Sequence, residues 1–344
     1  MDSPIRCVTR ATGDPVLSAL FDMDDERDKT MVEMEKLIWW NGELLPERQA
    51  LVPVTHLGWS GVEGVFEGMR GYYNPEQEEM YIFRLDAHMD RMMRSMRLMG
   101  LTCPWSRDEL MEACVRTLRA NNPREDVYLQ PLAYVEEAAS GGFFDASHFG
   151  GFVDWWPLAS RLRTEFSQRA RFSSYRRISE DAMPPRVKNL SNYRNSSLVL
   201  REARRDGYDN AIVLNGAGYV AEGPNACIFL VREGEVITPH LQSGILESIT
   251  RDAVIKMVRA DLDLPMVERA VDRTEVYLAD ELFFVGNAAE ITPVTQVDGH
   301  VIGQGVTGPI TRRLRADLDA IARGTTAEHA SWRMPVGLPA PVLA

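Results

Sequence analysis

The sequence predicts an α+β protein of two lobes, built from antiparallel-style hairpins and not from a doubly wound parallel sheet. Three observations carry that expectation. At 344 residues the chain is long enough for two cores. Short apolar runs alternate with turn signals, as in LIWWNGELLP (37–46), where Asn41-Gly42 separates two strand-like pieces. Between these runs lie stretches with apolar residues at helical spacing.

Residues 1–35 are polar and acidic and read as an extension. Residues 36–157 form the expected small N-terminal lobe. GVFEGMRGYYNPEQEEMYIFR reads as two strands joined at Asn74-Pro75-Glu76. Leu85, Met89, Met92, Met93, Met96 and Met99 form a helical stripe, which core packing explains better than a cofactor site. A second helix follows Ser106, a serine suited to capping, and VYLQPLAYV is strand-like. The polar stretch around DWWPLASRLRTEF breaks the pattern, so residues 158–166 are read as a linker. The larger lobe, 167–324, holds strand RARFSSYRR, helix NSSLVLREARRDG and hairpin-like text with turns at Asn215-Gly216 and Glu233-Gly234. It continues with helix TRDAVIKMVRADL, a short helix and two strands in VERAVDRTEVYLADELFFVGNAAEITPV, and helix GPITRRLRADLDAIARG. The proline-punctuated tail, 325–344, is expected to be peripheral.

Composition narrows the function. A net charge of −12 argues against nucleic acid or an anionic membrane as partner. No run of 18 apolar residues exists, and the first residues lack a signal-peptide core. The four cysteines are scattered and form no CxxC, so no metal site is expected, and free thiols in a cytoplasmic location are.

Lysine is scarce: Lys29, Lys36, Lys188 and Lys256 are the only four among 38 basic residues. Lys188 sits in PPRVKNLSNYRNSS, with Tyr193 five residues on. A buried lysine amine is a nucleophile toward carbonyls, which an arginine is not; the segment alone also fits an exposed loop lysine. Glu222, in GYVAEGPNACIF, is placed to face a cationic ring nitrogen or to be a plain turn glutamate. Ser248 and Thr250 open a helix, where hydroxyls and free N–H groups suit a phosphate or an ordinary cap. Gly286-Asn287-Ala288-Ala289 is a second small-residue turn able to expose amides to an anion. An amine, a carboxylate and two anion-binding turns are the parts that a pyridoxal 5′-phosphate site requires.

Ordered motifs then carry a resemblance: GVFEGMR and YIFRLDAHMDRMMRS; VKNLSNYRNSSLVLREARRDGYDNAIVLN; GYVAEGPNACIFLV; ILESITRDAV; YLADELFFVGNAAEITPV; and GPITRRL. From about residue 37 to residue 323 the chain resembles the branched-chain aminotransferase family, the class IV, fold-type IV pyridoxal-phosphate enzymes. The resemblance implies a small N-terminal lobe, a larger cofactor-binding lobe with a β-barrel-like sheet, and a homodimer. It implies that Lys188 is the Schiff-base lysine and shuttles the proton. Glu222 would pair with the pyridine nitrogen and Tyr193 with the phenolic oxygen. Arg91 would grip the phosphate with Ser248, Ile249, Thr250, Gly286 and Asn287, while Leu246 packs on the ring. Phe66, Gly68 and Tyr128 would line the substrate pocket, with Gly61 and Gln130 beside them and the Asn287-Ala288 amides receiving a carboxylate.

Four positions depart from the family pattern: Gly61 in place of tyrosine, Gln130 in place of arginine, Asn287 in place of threonine and Cys227 in place of asparagine. A neutral Gln130 cannot form a charge-assisted fork with a carboxylate. The expected function is therefore amino-group exchange between an amino acid and a 2-oxo acid, with a specialised instead of a standard branched-chain substrate. The alternative, prompted by Asn287, is a lyase of the aminodeoxychorismate type.

Overall fold

The structure, a computed structural model, describes residues 35–54, 63–138 and 146–340. The extension before residue 35 and Gly61 lie outside the described residues. Chain order begins with β1 (Leu37–Trp40), β2 (Glu43–Pro46), β3 (Val65–Phe66), β4 (Met69–Asn74) and β5 (Glu79–Phe83). Then come α1 (Leu85–Met99), α2 (Arg107–Asn121), β6 (Val127–Ala138) and β7 (Ala146–Pro157). The second half holds β8 (Gln168–Arg176), α3 (Asn192–Arg205), β9 (Asn210–Leu214), β10 (Cys227–Arg232), β11 (Glu235–Pro239), α4 (Ile249–Ala260) and β12 (Met266–Arg269). It ends with α5 (Arg273–Tyr277), β13 (Glu281–Gly286), β14 (Glu290–Val297), β15 (His300–Val301), α6 (Pro309–Arg323) and β16 (Arg333–Pro335).

Two sheets organise these elements. The first runs β16-β5-β4-β6-β7-β1-β2, with β3 beside β6. Its strands pair antiparallel, and Asn41 and Gly42, at φ 49° and 103°, make the tight β1–β2 turn that the Asn-Gly pair predicts. Met89, Met92 and Met96 of α1 are buried against Met69, Met80 and the α2 residues Leu110 and Leu118, so the methionine stripe is core. Each such burial contributes about 1.5–3 kcal/mol. Ser106 accepts from the Glu109 N–H and Glu109 reaches back to the Ser106 N–H, a reciprocal cap that fixes where α2 starts.

The second sheet runs β12-β11-β10-β13-β14-β8-β9, with β15 beside β14. Phe229 and Val231 of β10 pack with Val254 and Val258 of α4 and Leu314 and Leu318 of α6. The alternate residues Ile228 and Leu230 pack on the opposite face with Ile212 and Val294, as period two requires. The Val220 N–H donates to the Val271 carbonyl and the Ala221 N–H to the Val213 carbonyl, both at 2.9 Å. The chain after β9 thus bonds both to β9 and to the segment beyond β12, at the two ends of the strand order.

Two expectations need correction. The second sheet is mixed: β8 pairs parallel with both β9 and β14, and β11 with β12. Parallel neighbours need a crossover, and α3 and α4 supply it between β8 and β9 and between β11 and β12. The tail is not peripheral either. β16 pairs antiparallel with β5, Trp332 and Val336 are buried, and the Arg84 N–H donates to the Trp332 carbonyl at 2.7 Å. Between the sheets, the loop after Pro157 is strapped down. Arg315 donates to the carbonyls of Arg161, Leu162, Thr164 and Phe166, while Glu290 accepts from the Ser160 hydroxyl and the Arg161 N–H.

Candidate active site

Lys188 lies in a loop stitched onto β3. The Phe66 N–H donates to the Lys188 carbonyl at 3.0 Å, and the Leu190 N–H to the Gly64 carbonyl at 2.8 Å. The Lys188 N–H donates to Ser95 of α1 at 3.3 Å. This leaves the residue only 7% exposed. Its Nζ sits 2.5 Å from the Tyr193 hydroxyl, 4.0 Å from the centre of the Phe66 ring and 4.5 Å from that of Tyr193. Burial is the main cause of a pKa lowered to about 8. Tyr193 stands in the first turn of α3, and burial pushes its hydroxyl pKa well up. The exposed-loop reading of Lys188 is thereby excluded.

A buried charge cluster lies beside the lysine. Arg91 of α1 donates from Nε and one terminal nitrogen to the two oxygens of Glu67, each at 2.7 Å, and its other terminal nitrogen reaches the Glu247 carbonyl at 2.8 Å. His88, one turn earlier on the same helix face, holds Glu67 Oε2 through Nδ1 at 2.7 Å. Burial would raise the Glu67 pKa, but the charge of Arg91 and the hydrogen bonds of Arg91 and His88 outweigh it and hold the carboxyl well below its usual range. Sequence reasoning missed Glu67. The signal was available: a single charge between apolar neighbours in GVFEGM, with His and Arg three apart on a helix.

Glu222 is a second buried carboxylate. Arg177 holds its Oε1 at 2.9 Å. The Leu246 N–H donates to Oε2 at 3.3 Å, and the Cys227 thiol lies 3.6 Å away. Burial dominates and pushes the carboxyl pKa up despite Arg177. Arg177 was also missed, because nothing local links β8's exit to a glutamate 45 residues on.

Two turns complete the site. Ser248 caps α4 by accepting from the Arg251 N–H at 3.2 Å. Thr250 is buried, and its Oγ1 has no hydrogen-bond partner. The turn after β13 is held by Arg70, which donates to the carbonyls of Asn287 at 3.2 Å and Ala288 at 3.4 Å. A trans peptide sets its N–H opposite its C=O, so the Ala288 and Ala289 N–H groups face away from Arg70.

These groups surround a cavity of about 170 Å³. Its walls include Lys188, Phe66, Gly68, Arg91, Tyr128 and Tyr193, with Glu222, Leu246, Ser248, Gly286, Asn287 and Ala288 completing the predicted set that it gathers. At Gly68 a Cβ would overlap the Tyr128 hydroxyl, so only glycine leaves that ring its place. Ile249 and Thr250 stand just behind Ser248, in the first turn of α4, and do not form the wall. Gln130 does not line the cavity; it lies two residues beyond Tyr128, opposite Asp154 in the β6–β7 register.

A buried, partly deprotonated lysine that shares a cavity with a carboxylate and with two turns able to present N–H groups to an anion is a set of parts suited to carbonyl–amine chemistry. The family model for class IV amino-transferases matches residues 64–297. The branched-chain-amino-acid aminotransferase of Pseudomonas aeruginosa is 37% identical over 308 residues, which cover 88% of this chain and 98% of that protein. The Escherichia coli K12 enzyme of the same name is 36% identical, over 86% of this chain and 96% of its own. Among solved structures, the branched-chain aminotransferase of Thermobaculum terrenum in its PLP form superposes with a TM-score of 0.85 at 45% identity, covering 88% of this chain and 99% of that one. The chain belongs to the class IV aminotransferases, with the fold-type IV architecture of that family.

Proposed function

We propose that this protein transfers amino groups between an amino acid with an aliphatic side chain and a 2-oxo acid, with pyridoxal 5′-phosphate as cofactor. The observation that carries this reading is Lys188: a buried amine among aromatic rings, lowered to about 8, inside a cavity with Glu222 and two anion-binding turns. The residues fit the cofactor. At the start of a 12-residue helix, the Thr250 hydroxyl is a buried donor with no partner just behind Ser248, and Ser248 and Arg91 line the cavity, a setting that suits a phosphate. Arg91, the α4 N-terminus and the Asn287 turn would hold the phosphate, Tyr193 the phenolic oxygen and Glu222 the ring nitrogen. Bound there, the cofactor supplies the electron sink that lets a substrate α-proton leave.

The chain's own groups do the rest. Lys188 Nζ, as a neutral amine, takes that proton and returns it at the next step. Positioned proton transfer of this kind is worth about 10²- to 10⁴-fold. Tyr193, 2.5 Å from Nζ, keeps the amine aimed into the cavity. The Ala288 and Ala289 amides, turned away from Arg70, suit the substrate carboxylate. Phe66 and Tyr128 leave the remaining wall aromatic, which favours an aliphatic side chain.

The departures at Gly61, Gln130 and Asn287 point toward a specialised substrate. Gln130 stands off the cavity wall, and the similar proteins carry the branched-chain name, so an ordinary aliphatic donor is the better-supported reading. Incubation with L-leucine and 2-oxoglutarate should yield glutamate and the leucine oxo acid. Turnover confined to bulky or modified amino acids would restore the specialised reading. Pyruvate released with no oxo-acid acceptor would mark a lyase and overturn transamination. A homodimer is part of the proposal, and sedimentation equilibrium reads it directly.

A further inference from the structure

His88 is fully buried, is not itself part of the cavity wall and has no step in the chemistry above, yet it joins two functional groups. Its Nδ1 lies 2.7 Å from Glu67 Oε2 and its Nε2 3.2 Å from the Asn287 side-chain nitrogen. The hydrogens follow from the partners. Glu67 is an ionised acceptor, so Nδ1 must carry the proton. A neutral imidazole then has a lone pair at Nε2, which accepts from the Asn287 amide. With Nε2 bare, Asn287 has to turn its NH₂ toward His88, because its carbonyl oxygen would meet a second acceptor there.

We infer that His88 is a positioning residue that locks the Asn287 side chain, so that the second N–H of the Asn287 amide serves an anion bound in the cavity. The inference rests on the aminotransferase reading and deepens it. Arg91 pins the far side of Glu67 through two hydrogen bonds, and the whole chain Arg91–Glu67–His88 is buried. Both Arg91 and Asn287 line the cavity, so the network begins and ends at the proposed anion cup. Burial lowers the His88 pKa even beside Glu67, with Arg91 and Lys188 adding to that effect, which is in the direction of the neutral tautomer assigned from geometry. The anion is either the phosphate of the cofactor or the carboxylate of the substrate.

The test is a double-mutant cycle on the full chain. His88→Leu removes both hydrogen bonds, whereas His88→Gln keeps one donor and one acceptor. Each is made alone and with Asn287→Ala. The dissociation constants of pyridoxamine 5′-phosphate and of pyridoxamine are read by tryptophan fluorescence, and the KM for L-leucine by turnover. Thermal melts select variants that remain folded. Loss of one such hydrogen bond is worth about fivefold to tenfold. His88→Leu should weaken a ligand by that factor, His88→Gln should recover part of it, and neither should matter once Asn287 is alanine. A loss for pyridoxamine 5′-phosphate but not pyridoxamine identifies the phosphate; a raised KM with unchanged cofactor affinity identifies the substrate carboxylate. Equal losses with and without Asn287, or no loss, overturn the inference. A wild-type protein that binds no pyridoxamine 5′-phosphate overturns the aminotransferase reading instead.

Discussion

Glu67 and Glu222 are two buried glutamates in one site, each paired with an arginine, and they titrate in opposite directions. Glu67 receives two hydrogen bonds from Arg91 and one from His88, and its pKa falls well below the ordinary 4.5. Glu222 receives one ion pair from Arg177, a long amide contact and a thiol, and its pKa rises. Burial penalises both charges, so the number of donors decides the sign. A saturated carboxylate is an anchor. An under-satisfied one retains the capacity to take a further donor, which is what a carboxylate facing a ring nitrogen needs.

The largest expected effect follows from the saturated one. Glu67→Gln leaves the Arg91 charge buried without its partner and should destabilise the fold by about 3–5 kcal/mol, measured by urea unfolding at pH 7. The pH dependence has a definite sign. A depressed carboxyl contributes stability that is present above its unfolded pKa of about 4.5 and lost as pH falls below it. The wild type should therefore lose stability on acidification below that point more steeply than the Glu67→Gln protein. Equal unfolding midpoints for the two proteins at pH 7 would remove Glu67 from the role of anchor.

Glu222→Gln should behave the other way. Removing a carboxyl whose folded pKa is raised relieves a penalty that applies above pH 4.5, so stability at pH 7 should hold or increase. On the proposed role of Glu222 at the ring nitrogen, activity should fall about a hundredfold, because a neutral amide cannot keep that nitrogen protonated. If Glu222→Gln destabilised the fold as much as Glu67→Gln, the contrast between anchor and functional carboxylate would collapse.

Lys188 is another buried ionisable group of the site, and the burial that lowers its pKa penalises its charged form. A lysine whose folded pKa is about 8 opposes folding while the unfolded chain stays protonated. Lys188→Met should stabilise the apoprotein at pH 7 by about 1–3 kcal/mol, and the gap should narrow as pH rises from about 8 toward 10.5. In the wild type, the rate of capturing pyridoxal 5′-phosphate should climb with pH around a midpoint near 8, followed by visible absorbance. A capture rate flat from pH 6 to 9 would mean that the amine is not held as the structure indicates.

What the sequence made legible follows the range of each interaction. Lys188 and Tyr193 lie five residues apart in one loop and helix start, so a single short stretch of sequence holds both. Ser106, Ser248 and the Asn41-Gly42 turn are set by contacts within four residues, and each falls where expected. Glu67 and Arg177 were not legible, because their partners are 24 and 45 residues away and pairing at that distance is decided by topology. The same reason hid β16: a proline-punctuated tail reads as loose text until its distant partner, β5, is known. Parallel pairing of β8 with β9 was hidden because a helix between two strands does not state on which side of the first strand the chain returns.

The smallest effect tests how finely Glu222 is set. Cys227 lies 3.6 Å from Glu222 Oε2 and 3.8 Å from the Leu246 carbonyl, and burial keeps its thiol protonated. It is therefore a weak donor shared between two acceptors. Cys227→Ala removes that donor and should raise the Glu222 pKa further, lowering kcat/KM by no more than about fivefold. Cys227→Asn offers an amide donor of greater strength, and should pull the carboxyl down toward the behaviour of Glu67. If donor number sets the sign, the pH at which the bound cofactor's absorbance changes should shift in opposite directions in the two variants. Shifts of the same sign would mean that cavity volume, and not hydrogen bonding, governs Glu222.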